Sequence, residues 1–302
     1  MKRLNLLMVV IIGITISSCS SDDQSIEAPD KKLTKIVYEY SNGLEVAQSL
    51  SYDSNNNIVE ITNDNNLPTD KYLYNSSNQL IQREQYGYDS QTNEITEKQT
   101  YLFSYNSTGS IITIEKETID NYGVNTNIYN KSYTITYTDN KIVRVSNPAW
   151  DEVTFELNED DTINNIKIVR NGTLIDDMSF TYDNNKNCIS GSGYIHEGSL
   201  NSTTENINLT AVYSNKTKHA VFKSLDKHNL LTVGASFENY KNILTKRLGT
   251  NHPTEVEWYQ YQSHTYKEVL ENSFDNENYL TTQILSYLPN NSNFATISLI
   301  WE

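Results

Sequence analysis

The chain has 302 residues, 37% hydrophobic and 20% charged, which is enough length to bury a substantial core. With 23 basic against 38 acidic side chains the formal charge is −15, a field that repels phosphate and excludes a nucleic-acid-binding role. Two cysteines exclude a disulfide scaffold, and 22 tyrosines against 7 phenylalanines set the aromatic composition.

Lys2 and Arg3 open the chain, Leu4 to Ile16 follows as an apolar run, and Ser17-Ser18 precedes Cys19. That run of about 13 residues is shorter than the ~20 a spanning helix needs, so residues 1–18 read as a removable leader. Small residues directly before Cys19 resemble the lipobox of bacterial lipoproteins. The resemblance implies acylation of Cys19 and a membrane partnership through that anchor alone. Ser20-Ser21-Asp22-Asp23 resembles the acidic export signal of Bacteroidota lipoproteins, which implies an outer-membrane, cell-surface location. Residues 19–30 are polar, contain Pro29 and read as a tether, leaving residues 31–302 as a single β-rich domain. Loss of Lys2 and Arg3 with the leader moves the formal charge from −15 to −17, a surface that anionic headgroups repel.

Seven segments then align on a large residue followed by a polar turn. Position zero of each is Tyr52, Tyr74, Tyr105, Tyr137, Leu157, Tyr182 or Phe274. The next residue is Asp53, Asn75, Asn106, Thr138, Asn158, Asp183 or Asp275. Such an Asp or Asn bonds the backbone two residues on and starts a turn. The fourth place holds Asn56, Asn78, Gly109, Asp161 or Asn278, types that tolerate the left-handed backbone of a tight hairpin; Lys186 breaks the rule. The sixth place is apolar: Ile58, Leu80, Ile111, Ile163, Cys188 and Leu280. The turn after Tyr137 is one residue shorter. Alternation on either side predicts an antiparallel meander of β-hairpins, all-β, forming a large curved sheet or an open barrel-like domain.

These residues resemble the YD repeats of Rhs-type and teneurin-like proteins, with Tyr52-Asp53, Tyr182-Asp183 and Tyr105-Asn106-x-x-Gly109 the nearest to the pattern. Over most of the chain the resemblance is to uncharacterised Bacteroidota lipoproteins with degenerate repeats. In those, an Asn-x-Pro element such as Asn251-His252-Pro253 and a last hairpin such as Phe274-Asp275 close the domain. The motifs are structural and bring no catalytic residues with them.

Between Gly191 and Val269 the pattern loosens. Asn206–Tyr213 and Glu255–Tyr261 read as strands, and Phe237–Leu248 as the one short helix, ending at Gly249. Thr281–Tyr287 and Ala295–Trp301 read as the final strands. His196, His219, His228, His252 and His264 sit in no metal-binding spacing, and Ser192 and Ser236 lack a full nucleophile elbow. Cys188 occupies an apolar slot and reads as a core thiol. Acidic turns at Glu159-Asp160-Asp161 and Asp183-Asn184-Asn185 offer oxygen ligands to calcium but need no ion to form. Asp161-Thr162-Ile163 matches a short Bacteroidota O-glycosylation pattern. No catalytic, metal or cofactor site is expected. The expectation is a non-catalytic surface lipoprotein that binds a protein or glycan through exposed tyrosines or serves an envelope complex; the alternative is a glycan hydrolase or lyase.

Overall fold

The computed structural model describes residues 31–122, 125–138, 142–147, 151–196, 204–219, 244, 250–260, 264–288 and 292–302. Its first strands are β1 (Leu33–Tyr40), β2 (Glu45–Tyr52), β3 (Ile58–Thr62), β4 (Pro68–Tyr74), β5 (Leu80–Tyr88) and β6 (Ile95–Tyr105). The middle supplies β7 (Ile111–Tyr122), β8 (Asn125–Thr138), β9 (Ile142–Asn147), β10 (Asp151–Leu157), β11 (Ile163–Arg170) and β12 (Thr173–Tyr182). The last are β13 (Cys188–His196), β14 (Thr204–Thr217), β15 (Asn251–Gln260), β16 (His264–Phe274), β17 (Leu280–Leu288) and β18 (Ser292–Trp301). The expected helix at Phe237–Leu248 lies outside the described residues except for Leu244, which is buried in the main core.

Every strand pairs antiparallel with its neighbours in sequence, and β18 returns to pair with β1. The meander is therefore a closed all-β barrel with no free edge, where periodicity alone left an open sheet equally acceptable.

The turns at one end share one construction. Asp53 Oδ1 accepts the backbone N–H groups of Asn55 and Asn57, both at 2.8 Å, and the backbone N–H of Asp53 donates to the Asn57 carbonyl at 2.9 Å. Asp183 and Asp275 repeat this with the residues two and four further on. The fourth place is left-handed in each copy described through its turn: Asn56 (φ 62), Asn78 (φ 62), Gly109 (φ 86), Asp161 (φ 70), Lys186 (φ 63) and Asn278 (φ 68). Lys186 is held there although lysine gains nothing from that backbone. Its ammonium donates to the Asp160 carbonyl of the neighbouring turn at 2.9 Å.

A bulge follows each turn and decides which side chains face inward. Tyr52 pairs with Ile58 but Ser51 with Glu60, so one extra residue stands on the returning strand. The same shift occurs at Tyr74/Leu80, Tyr105/Ile111, Leu157/Ile163, Tyr182/Cys188 and Phe274/Leu280. With that extra residue, the sixth and ninth places both point in: Ile58 with Ile61, Ile111 with Ile114, Ile163 with Ile166, all buried. The inward faces form two apolar clusters, and Tyr72 packs against both.

Two more positions take the same construction without matching the turn pattern in sequence. Tyr213 is one; after it the chain makes its long excursion and returns at Asn251, whose N–H donates to Asn187 Oδ1 at 2.8 Å. The other is divided between the chain ends. Trp301 pairs with Leu33 while Ile300 pairs with Lys35, and the Glu302 N–H donates to the Lys32 carbonyl at 2.9 Å. Leu33 thus takes the sixth place of a hairpin whose turn does not exist. Closure falls to the first and last strands, β1 and β18.

The outward wall is mixed. Ser51, Ser104, Glu115, Thr134 and Thr181 are exposed on it, as are Leu73, Leu102, Val212 and Ile300, and Lys–Glu pairs cross between strands at Lys71–Glu60 (3.5 Å), Lys98–Glu84 (2.7 Å) and Lys167–Glu156 (2.6 Å). Such exposed pairs add little stability, well under about 1 kcal/mol each.

Around the end of the repeat turns, several rings bond the preceding hairpin. Tyr74 Oη donates to the Ile58 carbonyl (3.0 Å), Tyr105 to Leu80 (2.6 Å), Tyr137 to Ile111 (2.9 Å) and Tyr213 to Cys188 (2.8 Å). Tyr52 reaches Leu33 (2.8 Å), and the Trp301 indole N–H reaches Leu280 (2.8 Å). Burial pushes the Tyr52 and Tyr74 phenols up to about 12, so they remain neutral donors at any physiological pH. Tyr105→Phe is expected to lower the unfolding free energy by about 1 kcal/mol, shifting the urea midpoint with the slope unchanged. The same change at exposed Tyr129 should have no effect.

Candidate functional site

The two ends of the barrel differ in what they turn inward. At the turn end the inward residues are aliphatic and aromatic and are packed. Towards the opposite end the same faces become polar and then aromatic and exposed.

On β4 to β7 the polar part centres on Arg83, which takes the inward ninth place that Ile61 and Ile114 fill elsewhere. It is 8% exposed, with Nε and Nη2 donating to Asp70 Oδ1 at 3.1 and 2.8 Å and its guanidinium over the Tyr72 ring. Burial works against the charge, but Tyr72 and Asp70 outweigh it and hold the group protonated. Beside it Tyr101 donates to Gln99 Oε1 at 2.8 Å, and the Lys116 ammonium stands 5.0 Å from the centre of the Tyr101 ring. Burial lowers the Lys116 pKa.

On β15 to β18 and β1 the inward face carries an aromatic arc. Trp258 and Tyr266, paired across β15 and β16, stack at 5.5 Å and 18°. One inward step deeper on β16 is Glu268, 2% exposed, paired with Tyr287 on β17. Phe294, the extra residue of a β18 bulge, meets Tyr287 edge-on at 5.1 Å and Tyr40 of β1 at 5.8 Å. Tyr266 is 39% and Phe294 44% exposed, so the arc presents ring surface to solvent at the mouth.

Few residues singled out from sequence belong to this mouth. Tyr52, Asp53, Tyr74, Tyr105, Gly109, Tyr137, Tyr182, Asp183, Phe274 and Asp275 all lie at the opposite, packed end. Cys19, His228 and Ser236 fall outside the described residues. Cys188 is fully buried and burial pushes its thiol up to about 12, so it is an inert filler of its slot. Ser192 is exposed on the outward wall, and the glycines flanking it serve packing. A Cβ on Gly191 would stand 2.8 Å from the Phe180 ring, and one on Gly193 2.0 Å from the Asp177 carbonyl. The turn carboxylates are engaged locally: Asp183 as above, Asp160 by Thr162. Thr162 Oγ1 donates to Asp160 at 2.7 Å and accepts from Asn158 Nδ2 at 2.9 Å. Among the described residues no three His, Cys, Asp or Glu side chains converge as a metal site. His219 packs against Trp301 and Tyr279 at the closure.

The aromatic arc went unnoticed in the sequence. Alternation puts Tyr266, Glu268 and Leu270 on one face, but only the pairing of five strands brings Trp258, Tyr287, Phe294 and Tyr40 beside them.

Neither a protein-family model nor a curated protein sequence matches the chain. Among solved structures, a porin-like protein from Bacteroides vulgatus aligns at 12% identity and TM-score 0.48, over 90% of this chain and 99% of that one. A porin-like protein from Bacteroides uniformis aligns at 13% identity and TM-score 0.34, over 89% and 96%. The Photorhabdus luminescens Tc holotoxin pore aligns at 11% identity and TM-score 0.28, over 87% of this chain and 15% of that one. Overlaps this loose carry no assignment of activity.

His252 is 4% exposed against Phe274, and burial, with buried Lys218 adding to it, lowers its pKa to about 4. It is neutral in the fold, whereas the unfolded chain takes a proton near 6.5. Stability should therefore fall by up to about 3 kcal/mol as the pH drops from 6.5 to 4, with no contribution above that window. Urea midpoints at pH 7.5 and 4.5 should show this loss, and His252→Phe should remove that part of it. Gly193→Ala should cost more than about 3 kcal/mol, read by thermal unfolding, because the clash is with backbone.

Proposed function

We propose that the protein is a non-catalytic surface lipoprotein, held to the outer membrane by lipid on Cys19, whose barrel stands in water and binds a ligand or partner at its mouth. The observation that carries this reading is the make-up of the outward wall. In the place before position zero, exposed Leu73, Val212 and Ile300 alternate with Ser51, Ser104, Glu156 and Thr181, so the outward apolar side chains form no continuous band to lie in hydrocarbon, and membrane attachment falls to the leader and lipobox. The start of the described chain supports the same reading. Lys31 is pinned at the turn end by Asp275 (3.0 Å) and Glu277 (2.5 Å), so the tether joins the barrel opposite the mouth. A tether there leaves the aromatic arc free to face outward.

Cys19→Ala should move the protein from the membrane to the soluble fraction of the envelope. Persistence of the variant in the membrane after a high-salt wash would overturn the anchoring. Protease treatment of intact cells should degrade the wild-type barrel if it is displayed outside and leave it whole if it faces the periplasm.

A further inference from the structure

We infer that the overhanging end of β8, at the barrel mouth, is a pairing surface for a second copy of this chain. This rests on the binding half of the proposed function and names its partner. Closure leaves the sheet no first or last strand, but it covers each strand only as far as the neighbour reaches. β7 and β8 run for 12 and 14 residues, β9 and β10 for 6 and 7. β9 pairs with β8 from Thr138 to Thr134 and no further, while β7 follows β8 to the Tyr122–Asn125 pair without a register shift. From Asn127 to Ser132, therefore, no strand among the described residues lies on the β9 side of β8. The Ser146 hydroxyl of β9 donates to the Thr134 carbonyl at 3.4 Å, so Thr134 turns its backbone groups to that side. By alternation Ser132, Asn130 and Ile128 do the same. Counting from the Tyr122–Asn125 pair, which closes a two-residue loop and so is bonded within its own hairpin, gives the same set.

Natural sheets blunt such a stretch with charges, proline or a bulge. Thr126-Asn127-Ile128-Tyr129-Asn130-Lys131-Ser132 carries one charge, no proline and no register shift, and Ile128 and Tyr129 are 58% and 54% exposed. Amides at strand spacing are completed by another strand. A second copy supplies one of matching length, and a twofold contact makes the pair antiparallel. Edge-turned groups must meet edge-turned groups, so the twofold axis falls on a residue and not between two. Centred on Tyr129, it would put Asn125 of the second copy opposite Tyr133, where Asn147 follows Ser146 on β9. Centred on Ile128, the second strand clears β9. Ile128 then meets Ile128, Thr126 meets Asn130 and Asn127 meets Tyr129. No carboxylate faces another, although each chain has a formal charge of −15. Antiparallel overhangs set the barrels mouth to mouth with the tethers at the far ends, so the contact joins copies on facing membranes. A strand pair this short covers less than the ~1,000 Å² of a stable soluble interface, so it acts through many copies at once.

Two measurements test this. In concentrated detergent solution, where the anchor plays no part, the full chain with Ile128→Cys should form disulfide-linked dimers on mild oxidation. A bonded antiparallel pair holds its Cα atoms about 5.5 Å apart, within disulfide reach. Leu73→Cys, 53% exposed on the outward wall, should not cross-link, and nor should the parent. On phosphatidylcholine vesicles the lipidated full chain should cluster the vesicles, read as rising turbidity, while flotation reports the anchor separately. Asn130→Pro removes one edge-turned N–H and leaves the β7 ladder whole, and Ile128→Lys sets like charges across the twofold axis. Each should cut the clustering by about tenfold or more, with unfolding midpoints near wild type. Cross-linking no greater for Ile128→Cys than for Leu73→Cys would overturn the proposal. So would floated vesicles that stay dispersed, or clustering unaltered in both Asn130→Pro and Ile128→Lys. Those results leave the Cys19 anchor standing, because flotation and fractionation read it without any pairing.

Discussion

One hydrogen bond, made by Tyr74, Tyr105, Tyr137 and Tyr213, ties a hairpin to the one before it: a half-buried ring donates to the sixth-place carbonyl of the preceding hairpin. A ladder bond joins strands that are already neighbours through a turn. This bond reaches across to the previous hairpin, at the bulge where the regular ladder is disturbed. The donor has to be long, flat and capped with a hydroxyl or indole N–H, which Tyr52, Tyr74, Tyr105, Tyr137, Tyr213 and Trp301 supply. A ring lacking that tip would pack equally well and leave a carbonyl in a dry wall with one partner fewer.

The same bond explains how the ring of strands closes. Tyr52 bonds the first strand at Leu33, and Trp301 bonds the penultimate one at Leu280, so the chain ends are gripped from both sides. Between them, Lys32 and Glu302 exchange two backbone bonds, at 2.7 and 2.9 Å, where hairpins such as those after Tyr52 and Tyr74 have a turn. Closure removes the sheet edges that an open meander would present to another copy of itself. It is a long-range requirement, because nothing is gained until both ends of the chain are in place.

The two ends differ. The ring bonds and the repeat turns lie at the end where Lys31 meets Asp275, while turns and bulges as such occur at both ends, as at Asn63 and Gly87/Tyr88. Arg83, bonded to Asp70, stands in a place that Ile61 and Ile114 fill elsewhere, and Glu268 is buried beside Tyr287. A buried charge at a place otherwise apolar is one that packing alone does not explain.

The sequence by itself determined the hairpins, because their signals are local. An Asp or Asn that can bond two residues on, followed by a residue able to adopt positive φ, specifies a turn without reference to the rest of the chain, and Asn56, Asn78, Gly109 and Asn278 all carry that signal. Alternation likewise placed Cys188 in the core. Lys186 shows the limit: its left-handed backbone is supported by the neighbouring turn, a contact no local rule contains. Tyr213 and Trp301 went unseen because the partners that define them, Asn251 and Leu33, are far away in sequence or at the other end of the chain. Closure, the packing demand on Gly191 and Gly193, and the aromatic arc were decided by the tertiary structure alone. Strand register joins residues hundreds of positions apart, and that register is set by the whole ring at once, not by any one of its hairpins.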